Sequence, residues 1–140
     1  MENKIGKSVL VIGAAGCIGA QVVANLLRDG QVPVAFDIAE DRRRLRLLMD
    51  SSLADKVTWV VGDVCNLDFL KATILEYNVK SIIHLAALQV PFCNANPVRG
   101  AEVNILGHVN IFEAARAFEI KGLVYASSVA ALPVLDNKWP

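Results

Sequence analysis

Short, almost uninterrupted apolar runs punctuate the chain: VLVI at Val9 to Ile12, VPVAF at Val32 to Phe36, VTWVV at Val57 to Val61, SIIHL at Ser81 to Leu85 and GLVYA at Gly122 to Ala126. Apolar side chains fill nearly every position of these runs rather than every second one. That is the pattern of strands covered on both faces, and hence of a parallel sheet. Segments of helical period lie between them. In CIGAQVVANLLRDG, Ile18, Val22, Val23 and Leu26 form one stripe, and Gly30 follows the last turn as a stop. DRRRLRLLMD (41–50), NLDFLKATILEYN (66–78) and PVRGAEVNILGHVNIFEAARAF (97–118) fill the remaining gaps. The predicted order is β-α-β-α-β-α-β-α-β. With right-handed crossovers, the commonest arrangement is an α/β fold with an open, doubly wound parallel sheet of five strands in the order 3-2-1-4-5. No internal repeat, low-complexity tract or linker interrupts the pattern, so residues 1–140 read as one domain.

Composition narrows the class of partner. Fourteen Lys and Arg balance fourteen Asp and Glu, giving a formal net charge of zero over 140 residues. No broad basic field favours nucleic acid or an anionic membrane, and a small-molecule partner is expected. Cys17, Cys65 and Cys93 are odd in number and lack CxxC or Cys/His metal spacing. Each is expected as a small buried hydrophobe in a reducing compartment, with no metal site. The polar start MENKIGKS leads into a run too short for a signal-peptide core or a membrane span, so a cytoplasmic protein is expected.

The chemistry concentrates where the first run meets the first helical segment. Gly13, Gly16 and Gly19 stand three residues apart, directly after a strand and across the start of a helix near Cys17. In that context Gly13 permits a tight turn, Gly16 lets a pyrophosphate approach the backbone, and Gly19 lets helix and strand pack closely. N–H groups at the helix start, near Cys17 and Ile18, would meet phosphate charge. The competing reading is a glycine-rich turn without a ligand. Asp37, eighteen residues after Gly19, ends the second strand where a carboxylate accepts hydrogen bonds from the adenosine ribose, which favours NAD over NADP. Arg42 to Arg44 follow. They read as a solvated helix face, the alternative being an arginine folded back onto a 2′-phosphate. Asp63, just past the third strand, is placed to accept the adenine amino group or to cap the next helix, although Asn66 is better placed as the cap.

Taken together, GAAGCIG, FDI, GDV, HLAA, VNILGHVNIFEAA and VYASSVAAL resemble the extended short-chain dehydrogenase/reductase family, in its NAD-dependent epimerase/dehydratase branch, from about Ser8 to Leu132. The resemblance implies a Rossmann-like fold in which Gly13, Gly16, Cys17, Ile18 and Gly19 wrap the pyrophosphate. It assigns Asp37 and Ile38 to the adenosine ribose and Asp63 and Val64 to the adenine. Leu85, Ala86 and Ala87 become the wall after strand four, and Gln89 stands where some members reach the phosphates. Asn104 matches an asparagine that fixes the backbone near the active site, an ordinary polar helix residue being the alternative. His84 reads as a packing and hydrogen-bonding residue rather than a catalytic base. The catalytic hydroxyl falls on Ser128, with capping or turn formation as the competing role.

The family's Tyr-x-x-x-Lys pair, whose tyrosine transfers the proton, is absent from the 140 residues. Tyr77 and Lys80 have one residue too few between them, and Tyr125 is followed four residues later by Val129. The expectation is therefore the cofactor-binding half of an oxidoreductase acting on a sugar nucleotide or similar hydroxyl substrate, inactive alone. A non-catalytic nucleotide-binding regulatory module is the alternative. The resemblance also implies a homodimer through the helix at 98–118 or the edge strand at 122–126, and the stretch LQVPFCNANP reads as a substrate-side loop.

Overall fold

The structure, a computed structural model, describes residues 7–128. Five parallel strands, β1 (Ser8–Ile12), β2 (Val32–Asp37), β3 (Thr58–Val61), β4 (Ser81–His84) and β5 (Gly122–Tyr125), form one sheet in the order β3-β2-β1-β4-β5. This is the doubly wound arrangement that the apolar runs predict. Successive strand residues point to opposite faces, and β1 shows why its run has no polar gap. Leu10 and Ile12 enter one buried cluster with Val34, Phe36 and Ile82, while Val9 and Val11 enter the other with Ala35 and Val23. Phe36, completely buried, contributes roughly 2–3 kcal/mol by that burial.

Helix α1 (Cys17–Arg28), the short α2 (Arg43–Leu48) and α3 (Ser51–Ala54) lie with the second cluster. The first is covered by α4 (Leu67–Glu76) and α7 (Gly107–Ala117). Helix α1 buries Gly19, Ala20, Val23 and Ala24. Ile18, expected in the buried stripe, is instead 65% exposed, because it lies in the first turn beyond the sheet edge. Gly30, at φ +71°, supplies the left-handed turn that ends α1. As expected, Asn66 caps α4, its Oδ1 accepting from the Phe69 amide at 3.0 Å.

Two segments depart from expectation. The stretch read as a substrate-side loop contains a short helix, α5 (Val90–Ala95), whose first turn admits Pro91 because proline needs no amide partner there. The helix expected over 98–118 runs without a gap from Pro97 to Ala117 but is not α throughout, since α6 (Pro97–Ala101) passes through a π-helical turn (Glu102–Leu106) into α7. Gly107, opening α7, lies so close to Val64 that an added Cβ would stand 2.7 Å from Val64 Cγ2. The widened turn carries Asn104, as π turns often carry functional side chains.

Candidate functional site

The ends of β1, β2 and β3 open onto a cleft of about 710 Å³ at the carboxyl edge of the sheet, beside the point where the chain order reverses between β1 and β4. Open parallel sheets bind ligands at that place. Gly13, at φ +86°, turns the chain out of β1, and a Cβ there would lie 2.6 Å from the Ala86 amide nitrogen. The turn is pinned to β2, since the amides of Gly13 and Ala14 both donate to the Phe36 carbonyl. Gly19 is the tightest point, where a Cβ would come within 2.0 Å of the Gly13 carbonyl oxygen.

Helix α1 starts at Cys17 with no side-chain cap and no acidic residue in its first turn. Its leading N–H groups therefore remain open to an anion, and no carboxylate of their own turn competes for them. The glycine cradle and the uncapped turn fit a diphosphate on the donor chemistry of the residues present.

Asp37 and Asp63 stand on the cleft wall. The Asp37 Oδ2 accepts from the Ala15 amide at 2.8 Å and its Oδ1 from the Ile38 amide at 2.8 Å. The Asp63 Oδ1 accepts from the Cys65 amide at 2.9 Å, and its Oδ2 pairs with Arg99 at 2.6 Å. Partial burial pushes the Asp63 carboxyl up, but the Cys65 amide and the Arg99 guanidinium outweigh it and hold the group below its ordinary range. Asp63 is thus an ionised acceptor, and the capping role falls to Asn66.

The comparisons with known proteins agree with this geometry. The NAD dependent epimerase/dehydratase family matches residues 9–138. The chain belongs to this family. Among its relatives, the UDP-glucose 4-epimerase of Mycolicibacterium smegmatis is 36% identical over 120 residues, covering 85% of this chain and 38% of the relative. The bifunctional UDP-glucose 4-epimerase and UDP-xylose 4-epimerase 3 of Arabidopsis thaliana is 28% identical over 134 residues, covering 91% and 38%. The solved structure of the Thermus thermophilus UDP-glucose 4-epimerase in complex with NAD superposes with a TM-score of 0.72 at 30% identity, covering 86% of this chain and 37% of that one. This epimerase/dehydratase family chain therefore spans less than two fifths of the length of these relatives.

Within the family chain, the structure brings together on one cleft Gly13, Gly16, Asp37, Ile38, Asp63, Val64, Leu85, Ala86 and Ala87. Cys17, Ile18 and Gly19 border it through the first turn of α1, with Gly19 buried and the other two exposed. Gln89 is exposed, precedes α5 and is not part of the cleft wall. Asn104 is also off the wall. It clamps the Leu88 peptide from both sides, its Oδ1 accepting from the Leu88 amide at 2.7 Å and its Nδ2 donating to the Leu88 carbonyl at 2.8 Å. Leu88 itself lines the cleft, so Asn104 shapes it through the backbone. Ser127 and Ser128 do not end β5 but follow it, both exposed, with Ser128 outside the cleft wall.

His84 is 1% exposed, and its Nε2 lies 3.4 Å from His108 Nδ1 with the rings edge to face. Burial, aided by His108, pushes its pKa down to about 4, so it is a neutral packing residue at ordinary pH. The cysteines depart from expectation. Cys17 is exposed at the start of α1 and the other two are half-buried, and all three are free thiols. Cys17 opens α1, Cys65 follows β3 and Cys93 lies within α5, so none occupies a strand position.

The arginine run is a solvated face at Arg43 and Arg44, both exposed, but not at Arg42. The Arg42 guanidinium turns inward, donating to the carbonyls of Ala54 at 2.6 Å and Val57 at 3.0 Å, 5.3 Å over the Trp59 ring. Arg44 turns the other way, onto the Ala15 carbonyl and the cleft wall. Arg43 pairs with Asp41 in solvent. Phe92 and Ala95, within the stretch read as a substrate-side loop, complete the far wall with Arg99 and Val103, which the sequence reading did not assign to the site because no local pattern ties α6 to Asp63. No helix among the described residues is long and apolar enough to cross a membrane, and no group of three or more His, Cys, Asp or Glu among them is arranged to hold a metal ion.

Proposed function

We propose that the cleft binds a nicotinamide dinucleotide, NAD in preference to NADP, and that residues 1–140 are the cofactor-binding part of an epimerase/dehydratase-type oxidoreductase acting on a sugar nucleotide or similar hydroxyl substrate. The observation that carries this reading is the uncapped first turn of α1 opening on a cleft that Asp37 also lines. Gly13, Gly16 and Gly19 let the diphosphate approach the backbone and the leading amides of α1 at Cys17 and Ile18 hold it, Asp37 and Ile38 take the adenosine ribose, and Asp63 and Val64 the adenine. Leu85 to Ala87 line the opposite wall. The bound nicotinamide supplies acceptance and return of a hydride. Ser128 donates or accepts a hydrogen bond at the reacting oxygen of the substrate, and Asn104 keeps the neighbouring backbone in place.

Binding without turnover is the expected behaviour of this chain, because no Tyr-x-x-x-Lys pair within it takes up the proton. Leu106, Val109 and Phe112 of the long helical segment and Val124 and Tyr125 of β5 are exposed apolar residues, which supports a homodimer through one of these faces. A cytoplasmic location accords with such chemistry. Titration of the chain with NADH, followed by nicotinamide fluorescence, tests the reading. Saturable binding is expected, and no binding at millimolar cofactor contradicts it.

A further inference from the structure

A second cavity, of about 380 Å³, lies at the opposite end of α1 from the glycine turn and shares no residue with the cleft. Its lining joins the last two residues of α1 (Leu27, Arg28), the end of α2 (Leu48, Met49), Leu53 of α3, and Lys56 and Val57 just before β3. Five of these seven residues are apolar, and Leu53 keeps 55% of its surface exposed. The other two, Arg28 and Lys56, are exposed cations, and no acidic residue joins them in the lining among the described residues.

Neither charge is neutralised within the fold. The Arg28 Nη1 donates to Asn25 Oδ1 at 3.0 Å and its Nη2 to the Leu48 carbonyl at 2.7 Å, which occupies two of its five N–H groups and ties the guanidinium to the pocket wall. Arg28 forms no ion pair among the described residues, and the Lys56 side chain forms neither an ion pair nor a hydrogen bond among them. The carboxylates nearest in sequence to Lys56 are committed elsewhere, Asp50 to the Ser52 amide at 2.8 Å and Asp55 to Arg46 at 2.8 Å. An apolar cavity bordered by two unmatched positive charges, one of them already held in place, is complementary to a molecule with an apolar body and one anionic end.

We infer that this pocket is a second ligand site, for a free medium-chain carboxylate whose tail lies among Leu48, Met49, Leu53 and Val57 and whose head is shared by Arg28 and Lys56. The cavity is at the small end of the range for ligand sites, which suits a chain of roughly eight to ten carbons. Burial of the tail supplies affinity, about fourfold for each methylene. The two cations select the sign of the head. The inference is independent of the dinucleotide reading, since the two sites have no residue in common.

The test follows methyl resonances of the full chain during titration with octanoate, decanoate and octylammonium, each kept below micelle formation. Saturable shifts are expected at the methyls of Leu48, Met49, Leu53 and Val57, with decanoate roughly tenfold tighter than octanoate and octylammonium at least about tenfold weaker. Lys56→Gln, which removes a side chain without partners in the fold, should weaken octanoate about threefold and leave the unfolding midpoint unchanged. Arg28→Gln, verified as folded by circular dichroism, should weaken it at least as much. Absent or unsaturable shifts overturn the inference, as do equal affinities for octanoate and octylammonium or an unchanged octanoate affinity in Lys56→Gln. Shifts at these methyls with anionic phospholipid vesicles and none with octanoate also overturn it, in favour of a membrane surface.

Discussion

Asp63 and Arg99, 36 positions apart in sequence, meet at 2.6 Å and join the loop after β3 to α6 across the cleft. Each side chain is about one-third exposed, so the pair contributes little to stability, about 1 kcal/mol or less. Its effect falls on the site, where it fixes the direction of the Asp63 carboxylate. Arg99→Met is therefore expected to shift chemical denaturation only slightly while weakening NADH severalfold. Parallel denaturation and fluorescence titrations check this.

Asn104 holds the Leu88 peptide with two hydrogen bonds. Asn104→Ala leaves the part-buried Leu88 N–H without a partner and its carbonyl with only the Cys93 thiol, at a cost of about 2–3 kcal/mol. The cap variant Asn66→Ala should cost only about 1 kcal/mol. Urea unfolding of the two variants side by side measures the difference.

At Gly19 a methyl group would collide with backbone, the Gly13 oxygen at 2.0 Å and Ala14 Cα at 2.8 Å. Gly19→Ala is expected to destabilise by about 3 kcal/mol or more, since the turn itself must move. Gly30→Ala, where nothing lies within 4 Å and only the positive φ resists, should cost about 1 kcal/mol. Thermal unfolding of both variants tests the contrast.

His84 titrates near 4 in the folded chain, below its ordinary value of 6.5. Between those values the unfolded chain binds more protons, so stability falls as pH drops through this window. The loss at pH 5 relative to pH 7.5 is about 2 kcal/mol from this group. Denaturation across pH 5 to 7.5 should show that slope, and His84→Gln should flatten it. Asp63, whose folded pKa is depressed, contributes stability that disappears only at lower pH, below the ordinary carboxylate value.

Much of this was legible in the sequence because it is local. The run at β1 is apolar throughout since its two faces feed two buried clusters, and Gly13 and Gly30 announce themselves because both adopt positive φ. Asp37 was readable from its spacing to the glycines. What was not legible depends on tertiary neighbours. Arg42 looks like a surface charge until the Ala54 and Val57 carbonyls and the Trp59 ring come beneath it. Ile18 fits a buried stripe by period, yet its turn lies past the sheet edge. The π turn at Glu102–Leu106 leaves no sequence signal, and its neighbours are tertiary: Asn104 reaches Leu88 and Gly107 lies against Val64.

The central claim is that a dinucleotide diphosphate rests on the open amides where β1 gives way to α1. Amide chemical shifts of the isotopically labelled chain, followed as NAD is added, address it most directly. The account predicts saturable shifts largest at Gly16, Cys17 and Ile18, with smaller ones at Ile38 and Val64. Unmoved resonances at those three amides, with NAD saturating elsewhere or not at all, would contradict it.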